Sequence, residues 1–223
     1  MIYKKIYLSL VFLVFSNVVL AQTAELDLAR VQKRLDSIQS FKAELTLELD
    51  IKFIEMPTKQ AKLLFQKGKP LEFESSEFVM LPKKGLDFTM QELFKYPYLV
   101  VDRGYQDKNG ESFRQLSLIP QDRKADFAIA TLLLDYKRDR IVQSDISTKK
   151  HGSYSIDMNY GSSDRSLPDS VTVTFEIQDV NLPIQYLSNK TDMEIDKKSA
   201  RREGINEGRI YLKLSDYQIK YNQ

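Results

Sequence analysis

The stretch Phe41-Lys42-Ala43-Glu44-Leu45-Thr46-Leu47-Glu48-Leu49-Asp50-Ile51-Lys52-Phe53 decides the fold. Its odd-numbered positions are apolar and its even-numbered ones are polar or charged. Side chains of a strand point alternately to opposite faces, so this pattern predicts a long antiparallel strand with one buried face. Typical strands run about 5–6 residues. A strand this long with one greasy face fits a curved sheet that wraps something.

The period changes on the N-terminal side. Leu28, Val31, Leu35 and Ile38 fall on one helical stripe, which predicts a helix over residues 24–39 with Thr23 as its cap. The stripe would lie on the sheet. On the C-terminal side more alternation follows. Ala61, Leu63 and Phe65 form one row and Leu71 and Phe73 another, joined by a turn at Lys67-Gly68-Lys69-Pro70. Residues 98–105, 112–119, 125–136 and 141–146 read as strands, with a hairpin at Asn109-Gly110. Tyr154 to Tyr160, Val171 to Ile177 and Ile210 to Ser215 also alternate. Residues 87–95 read as a short helix stopped by Pro97, and residues 179–206 as a long connection with a charged run. About ten hairpin-linked strands and a packed helix make a mainly β (α+β) chain.

Composition narrows the function. Among 223 residues there is no Cys, no Trp and a single His, His151. Disulfide frameworks, Cys-based zinc sites and Cys nucleophiles are excluded, and one His cannot form a His pair for zinc. The formal net charge is only +2, so there is no electrostatic footprint for nucleic acid. Hydrophobic residues make up 42%, enough to fill a core. No cofactor and no metal is expected.

The first residues read as an address. Lys4 and Lys5 precede the apolar run Ile6 to Leu20, and Val19-Leu20-Ala21 offers small residues for cleavage after Ala21. At ~1.5 Å per residue the run spans roughly 22 Å, short of the ~30 Å hydrocarbon core. The expectation is a signal peptide over 1–21, removed on export, and one domain over 22–223. Residues 1–21 hold two of the 33 basic residues and none of the 31 acidic ones, so the remainder is formally neutral.

Catalytic motifs fail one by one. Gly68-Lys69 lacks the upstream Gly of a phosphate loop, and Pro70 stands where Ser or Thr is needed. There is no Gly-x-Ser-x-Gly elbow and no calcium-loop spacing. Glu44, Glu48 and Asp50 share the polar face of the long strand, which reads as solvated. A glycosidase-type carboxylate pair across strands stays open, because sequence does not show distance. His151 reads as a turn residue. Lys197, Lys198, Arg201 and Arg202 read as a solvated helix face or as a partner or membrane-surface contact. Asn189-Lys190-Thr191 matches the glycosylation pattern, which chance also produces.

Three stretches carry a resemblance. Ser40-Phe41-Lys42-Ala43-Glu44-Leu45, then Leu64-Phe65-Gln66-Lys67-Gly68-Lys69-Pro70-Leu71-Glu72-Phe73, then Leu167-Pro168-Asp169-Ser170-Val171 resemble the lipoprotein-carrier (LolA/LolB-like) superfamily of outer membrane lipoprotein sorting. The layout over most of residues 24–178 is similar too. The resemblance implies a half-open antiparallel β-barrel of about ten to eleven strands with short lid helices. It implies a periplasmic, monomeric carrier of lipoprotein acyl chains or another lipid, passing cargo between donor and acceptor proteins of the envelope membranes. Lys69 stands where the family usually has Arg, and the family's D-G-K-x-x-W-x-Y element is absent.

Cavity residues expected on this basis are Leu45, Leu47, Leu49, Ile51, Phe65, Phe73, Ile156, Met158, Val173 and Phe175. Phe88, Leu93, Phe94 and Lys69 are the expected lid. Burying acyl chains is worth ~0.8 kcal/mol per methylene, on the order of 12 kcal/mol for one palmitoyl chain. A long apolar face supplies that without any catalytic group. The alternatives are an envelope structural or protein-interaction module with a filled β core and, behind it, an envelope hydrolase.

Overall fold

The structure, a computed structural model, describes residues 23–51, 54–75, 90–108, 110–150, 152–162, 164–177, 194–195 and 206–222. The signal-peptide reading, Phe88, His151, the glycosylation pattern and the basic cluster at Lys197 to Arg202 lie outside them. No helix of the described residues is long and apolar enough to cross a membrane.

The helix α1 covers residues 23–36. It is followed by β1 (Ile38–Asp50), β2 (Ile54–Glu55), β3 (Lys59–Gln66), β4 (Glu72–Glu74) and α2 (Gln91–Phe94). Then come β5 (Tyr98–Lys108), β6 (Glu111–Pro120), β7 (Phe127–Asp135), β8 (Arg140–Thr148), β9 (Ser153–Asn159), β10 (Ser170–Ile177), β11 (Glu194–Ile195) and β12 (Asn206–Tyr221). Ten strands form one antiparallel sheet in the order β4-β3-β1-β12-β10-β9-β8-β7-β6-β5, and β2 pairs with β11. The sheet does not close: β4 and β5 are its two edges.

The alternation of the long strand is real. Phe41, Ala43, Leu45 and Leu47 are buried, while Lys42, Glu44 and Glu48 are exposed. The same phase continues across the sheet. Leu49 faces Ile210, which faces Val173, then Ile156, Ser144, Leu132 and Leu116. These rows form an inner face, and the apolar stripe of α1 packs on it with Ala24, Leu28 and Val31 almost fully buried. Each such aliphatic side chain larger than alanine contributes about 1.5–3 kcal/mol on burial.

Two boundaries differ from the expectation. The helix ends at residue 36, and Ile38 already belongs to β1. Ile38 lies in phase with the helical stripe, but its backbone pairs with Tyr221. Thr23, expected as the cap, lies within the helix, and its hydroxyl accepts a hydrogen bond from Arg114 at 2.9 Å. The short helix expected over 87–95 is described only from residue 90, where it runs Gln91–Phe94.

Gly208 marks a close approach on the inner face. A Cβ there would stand 2.8 Å from the Phe175 ring and 3.1 Å from Ile51 Cγ1. The missing side chain lets those two pack over the backbone of β12.

Candidate functional site

α1 closes one end of the inner face through a buried charge cluster. Arg114, on β6, is 2% exposed. The phase of Leu116 and Leu118 turns it inward. Its guanidinium donates to Asp27 of α1 at 2.6 Å and to Asp102 of β5 at 2.7 Å. Burial works against its charge, but the hydrogen bonds it donates to Asp102 and Asp27 more than offset this and hold its pKa above the ordinary arginine value. Asp27 also pairs with Arg30, which reaches Asp139 at 2.9 Å. Arg34 donates to Ser166 at 3.0 Å and to the Arg138 carbonyl at 2.8 Å. These bonds tie the helix to β5, β6 and the β7–β8 and β9–β10 connections.

The other side of α1 faces the seam between the two sheet edges. There the β3–β4 turn and α2 approach the end of the helix and leave a half-open cleft of about 620 Å³. Leu35, Ile38, Phe65, Leu71 and Phe94 supply its apolar lining. Lys67, Lys69, Lys95 and Asp36 supply the charges. The β3–β4 turn is tight: the Lys69 amide donates to the Gln66 carbonyl at 2.9 Å, and Gly68 takes φ +81°, a conformation that suits glycine. Lys67 Nζ donates to the Asp36 carbonyl at 2.8 Å, pinning the turn to the end of α1. Gln32 donates to the Tyr98 hydroxyl at 2.6 Å, and Phe94 meets Tyr98 with ring centroids 6.0 Å apart.

Of the residues expected from sequence, the cleft brings together Phe65, Lys69 and Phe94. Leu45, Leu47, Ile156, Met158 and Val173 lie on the inner face, buried in the core with α1. Leu49, Phe73 and Phe175 are half-buried against that core, and Ile51 is buried beside Gly208. Leu93 is buried and anchors α2. Sequence reasoning did not assign Leu35, Ile38, Leu71, Lys67 or Lys95 to a site, because they come from separate segments. Arg114 had a usable signal, as a charge in the apolar phase of its strand.

A third region bears on catalysis. Asp135, 4% exposed, accepts from Arg138 at 3.0 Å and Arg140 at 3.3 Å beside a polar cleft. Burial raises its pKa, but the two arginines prevail and hold the carboxyl below the usual carboxylate range. A carboxylate held ionised in this way is not a general acid at neutral pH. No group of three or more His, Asp or Glu among the described residues could hold a metal ion.

Solved proteins superpose on this fold. A LolA superfamily protein of Nitrosomonas europaea superposes with a TM-score of 0.51 over 90% of this chain and 94% of its own, at 10% identity. The chain has the LolA-superfamily fold. A domain from Vibrio parahaemolyticus named for outer membrane lipoprotein sorting also gives 0.51, over 91% of this chain and 94% of its own, at 12% identity. No family model and no curated protein sequence matches the chain. The LolA-like fold therefore shows in the backbone at an identity where side chains have diverged, and the seam cleft is built from this chain's own residues.

Proposed function

We propose that the chain is an exported, periplasmic carrier that shelters acyl chains, of a lipoprotein or of another lipid, during transfer to the outer membrane. Residues 1–21 would direct export, and residues 22–223 would form the carrier domain. The observation that carries this reading is the open seam. The sheet has a mainly apolar inner face, its edges do not join, and a cleft of about 620 Å³ with an apolar floor lies between the β3–β4 turn, α2 and the end of α1. That volume falls within the ~300–1,000 Å³ of small-molecule sites. The LolA-like solved structures support the same reading. The inner-face residues named from sequence, from Leu45 to Phe175, would line the route that chains take as α1 and α2 shift. Phe88, Leu93, Phe94 and Lys69 would belong to the moving cover.

The test is direct. Mature protein recovered from cells is extracted, and the extract is analysed by lipid mass spectrometry. Stoichiometric acyl species are expected; their absence, together with no uptake of added lipid, would sink the carrier reading.

A second reading has its own support. Leu45, Leu47, Ile156, Met158 and Val173 are packed in the core with α1, as in an envelope interaction module with a filled interior. A spin label or fluorophore on α1 separates the two: the carrier moves it when lipid is added, and the module does not.

A further inference from the structure

The seam cleft has a charge pattern that narrows its ligand. Its lining carries Lys67, Lys69 and Lys95 against Asp36 alone. Across the β3–β4 turn, a second cleft of about 760 Å³ adds Lys42 and Lys220 against Glu72. Five lysines and two acids therefore surround one turn, in a chain whose charges balance as a whole beyond residue 21. On the polar face of β1, by contrast, Glu44 stands beside Lys62.

The lysines differ in their engagement. Lys67 is committed to Asp36, whose carboxylate lies 3.4 Å from its ammonium. Lys69 sits at the lip, exposed, with its backbone fixed by the turn and no ion pair to any described residue. Lys95, at the end of α2, also lines the cleft, with its ammonium 5.6 Å from the Tyr96 ring centroid. Below them Leu35, Ile38, Phe65, Leu71 and Phe94 form an apolar floor. A greasy floor under a cationic lip is complementary to a molecule with an acyl tail and an anionic head.

We infer that the seam cleft binds a single-chain amphiphile with a carboxylate or phosphate head, its tail on the Phe65–Leu71–Phe94 floor and its head between Lys69 and Lys95. This rests on the carrier reading above and narrows it from acyl chains in general to anionic ones. Lysine ammonium groups act here as mobile point charges and not as a fixed fork, so carboxylate and phosphate heads are both accepted.

The chain has no Trp, so Leu71→Trp places a single reporter in the floor. Emission of this variant is titrated with palmitate, palmitoyl lysophosphatidic acid and the neutral monopalmitoylglycerol. The two acids are expected to bind about tenfold more tightly than the neutral lipid at low salt. That advantage shrinks as ionic strength rises from roughly 0.01 M to 1 M and the Debye length falls from about 30 to 3 Å. Adding Lys69→Gln and Lys95→Gln lowers affinity for the acids by about five- to tenfold and leaves the neutral lipid unchanged. Circular dichroism of the same variants confirms that the fold is kept. The two acids are compared with each other to tell a carboxylate from a phosphate source.

Equal binding of all three lipids, with no effect of the lysine changes, overturns the headgroup assignment and leaves the carrier reading standing. If none of the three binds, either to the reporter or to wild type by equilibrium dialysis, both fall.

Discussion

The two sides of α1 hold the molecule together by different means. On the closed side, Arg114 is buried between Asp27 and Asp102, and Arg30 and Arg34 reach across to Asp139, Ser166 and the Arg138 carbonyl. On the seam side, the contacts are a lysine to a carbonyl, a glutamine to a tyrosine and an open apolar cleft. One helix is thus fixed along one flank by the buried Arg114, with Arg30 and Arg34 at its more exposed rim, and along the other by an exposed lysine and a half-buried glutamine. Charge pairs out of water are costly to break, and those in water are cheap. Any motion that widens the inner face should therefore start at the seam, with the closed side as the hinge.

The comparison can be broken most sharply at Arg114. Arg114→Met takes the cation from the partly exposed Asp102 and leaves Asp27 with Arg30 alone, and should cost about 3 kcal/mol, the low end for breaking a buried pair, read by urea denaturation. A loss below about 1 kcal/mol would mean that the closed side is no tighter than the seam. The inner face comes next. Gly208→Ala drives a methyl into the Phe175 ring and Ile51 and should cost about 1–3 kcal/mol by the same measurement; an unchanged midpoint would show that row to be loosely packed.

Acid sharpens the contrast with a smaller effect. The Arg114 hydrogen bond, assisted by the Gly104 amide and opposed by burial, holds the Asp102 carboxyl below its usual range. In the unfolded chain an aspartate titrates near about 3.9. The stabilisation is therefore complete above that value and is lost as pH falls below it through the folded pKa. Between neutral pH and pH about 3, wild type should lose more stability than Asp102→Asn. Parallel curves would remove Asp102 from the account. The smallest effect belongs to the lip: Lys69→Gln should change stability by less than about 0.5 kcal/mol, and a larger loss would mean that the lip is structural.

How far the sequence could be read follows from these same forces. β1 was legible because one face of a thirteen-residue strand is buried along most of its length. The α1 stripe was legible for the same reason at helical period. β12 was read only over 210–215, although it runs Asn206–Tyr221. Past Leu214 its alternation breaks at Asp216, with φ +53°, and its last residues are largely exposed. The cleft was the least legible part. Phe65, Lys69 and Phe94 could be named singly, but Leu35, Leu71 and Lys95 join them only where the β3–β4 turn and α2 approach the end of α1. Arg114 stood in the apolar phase of its strand between Phe113 and Gln115, and the helix lying over it completes its burial.

The open sheet has a mechanical consequence. A closed barrel has a girth set by its strand count and stagger, and it cannot widen without breaking ladder bonds. Here the ten strands meet at nine junctions and leave the tenth unmade. Small changes of twist at each junction add up to a large displacement of one edge relative to the other, while every ladder bond is kept. The sheet is therefore closer to a leaf spring than to a box, its span free to change without loss of pairing.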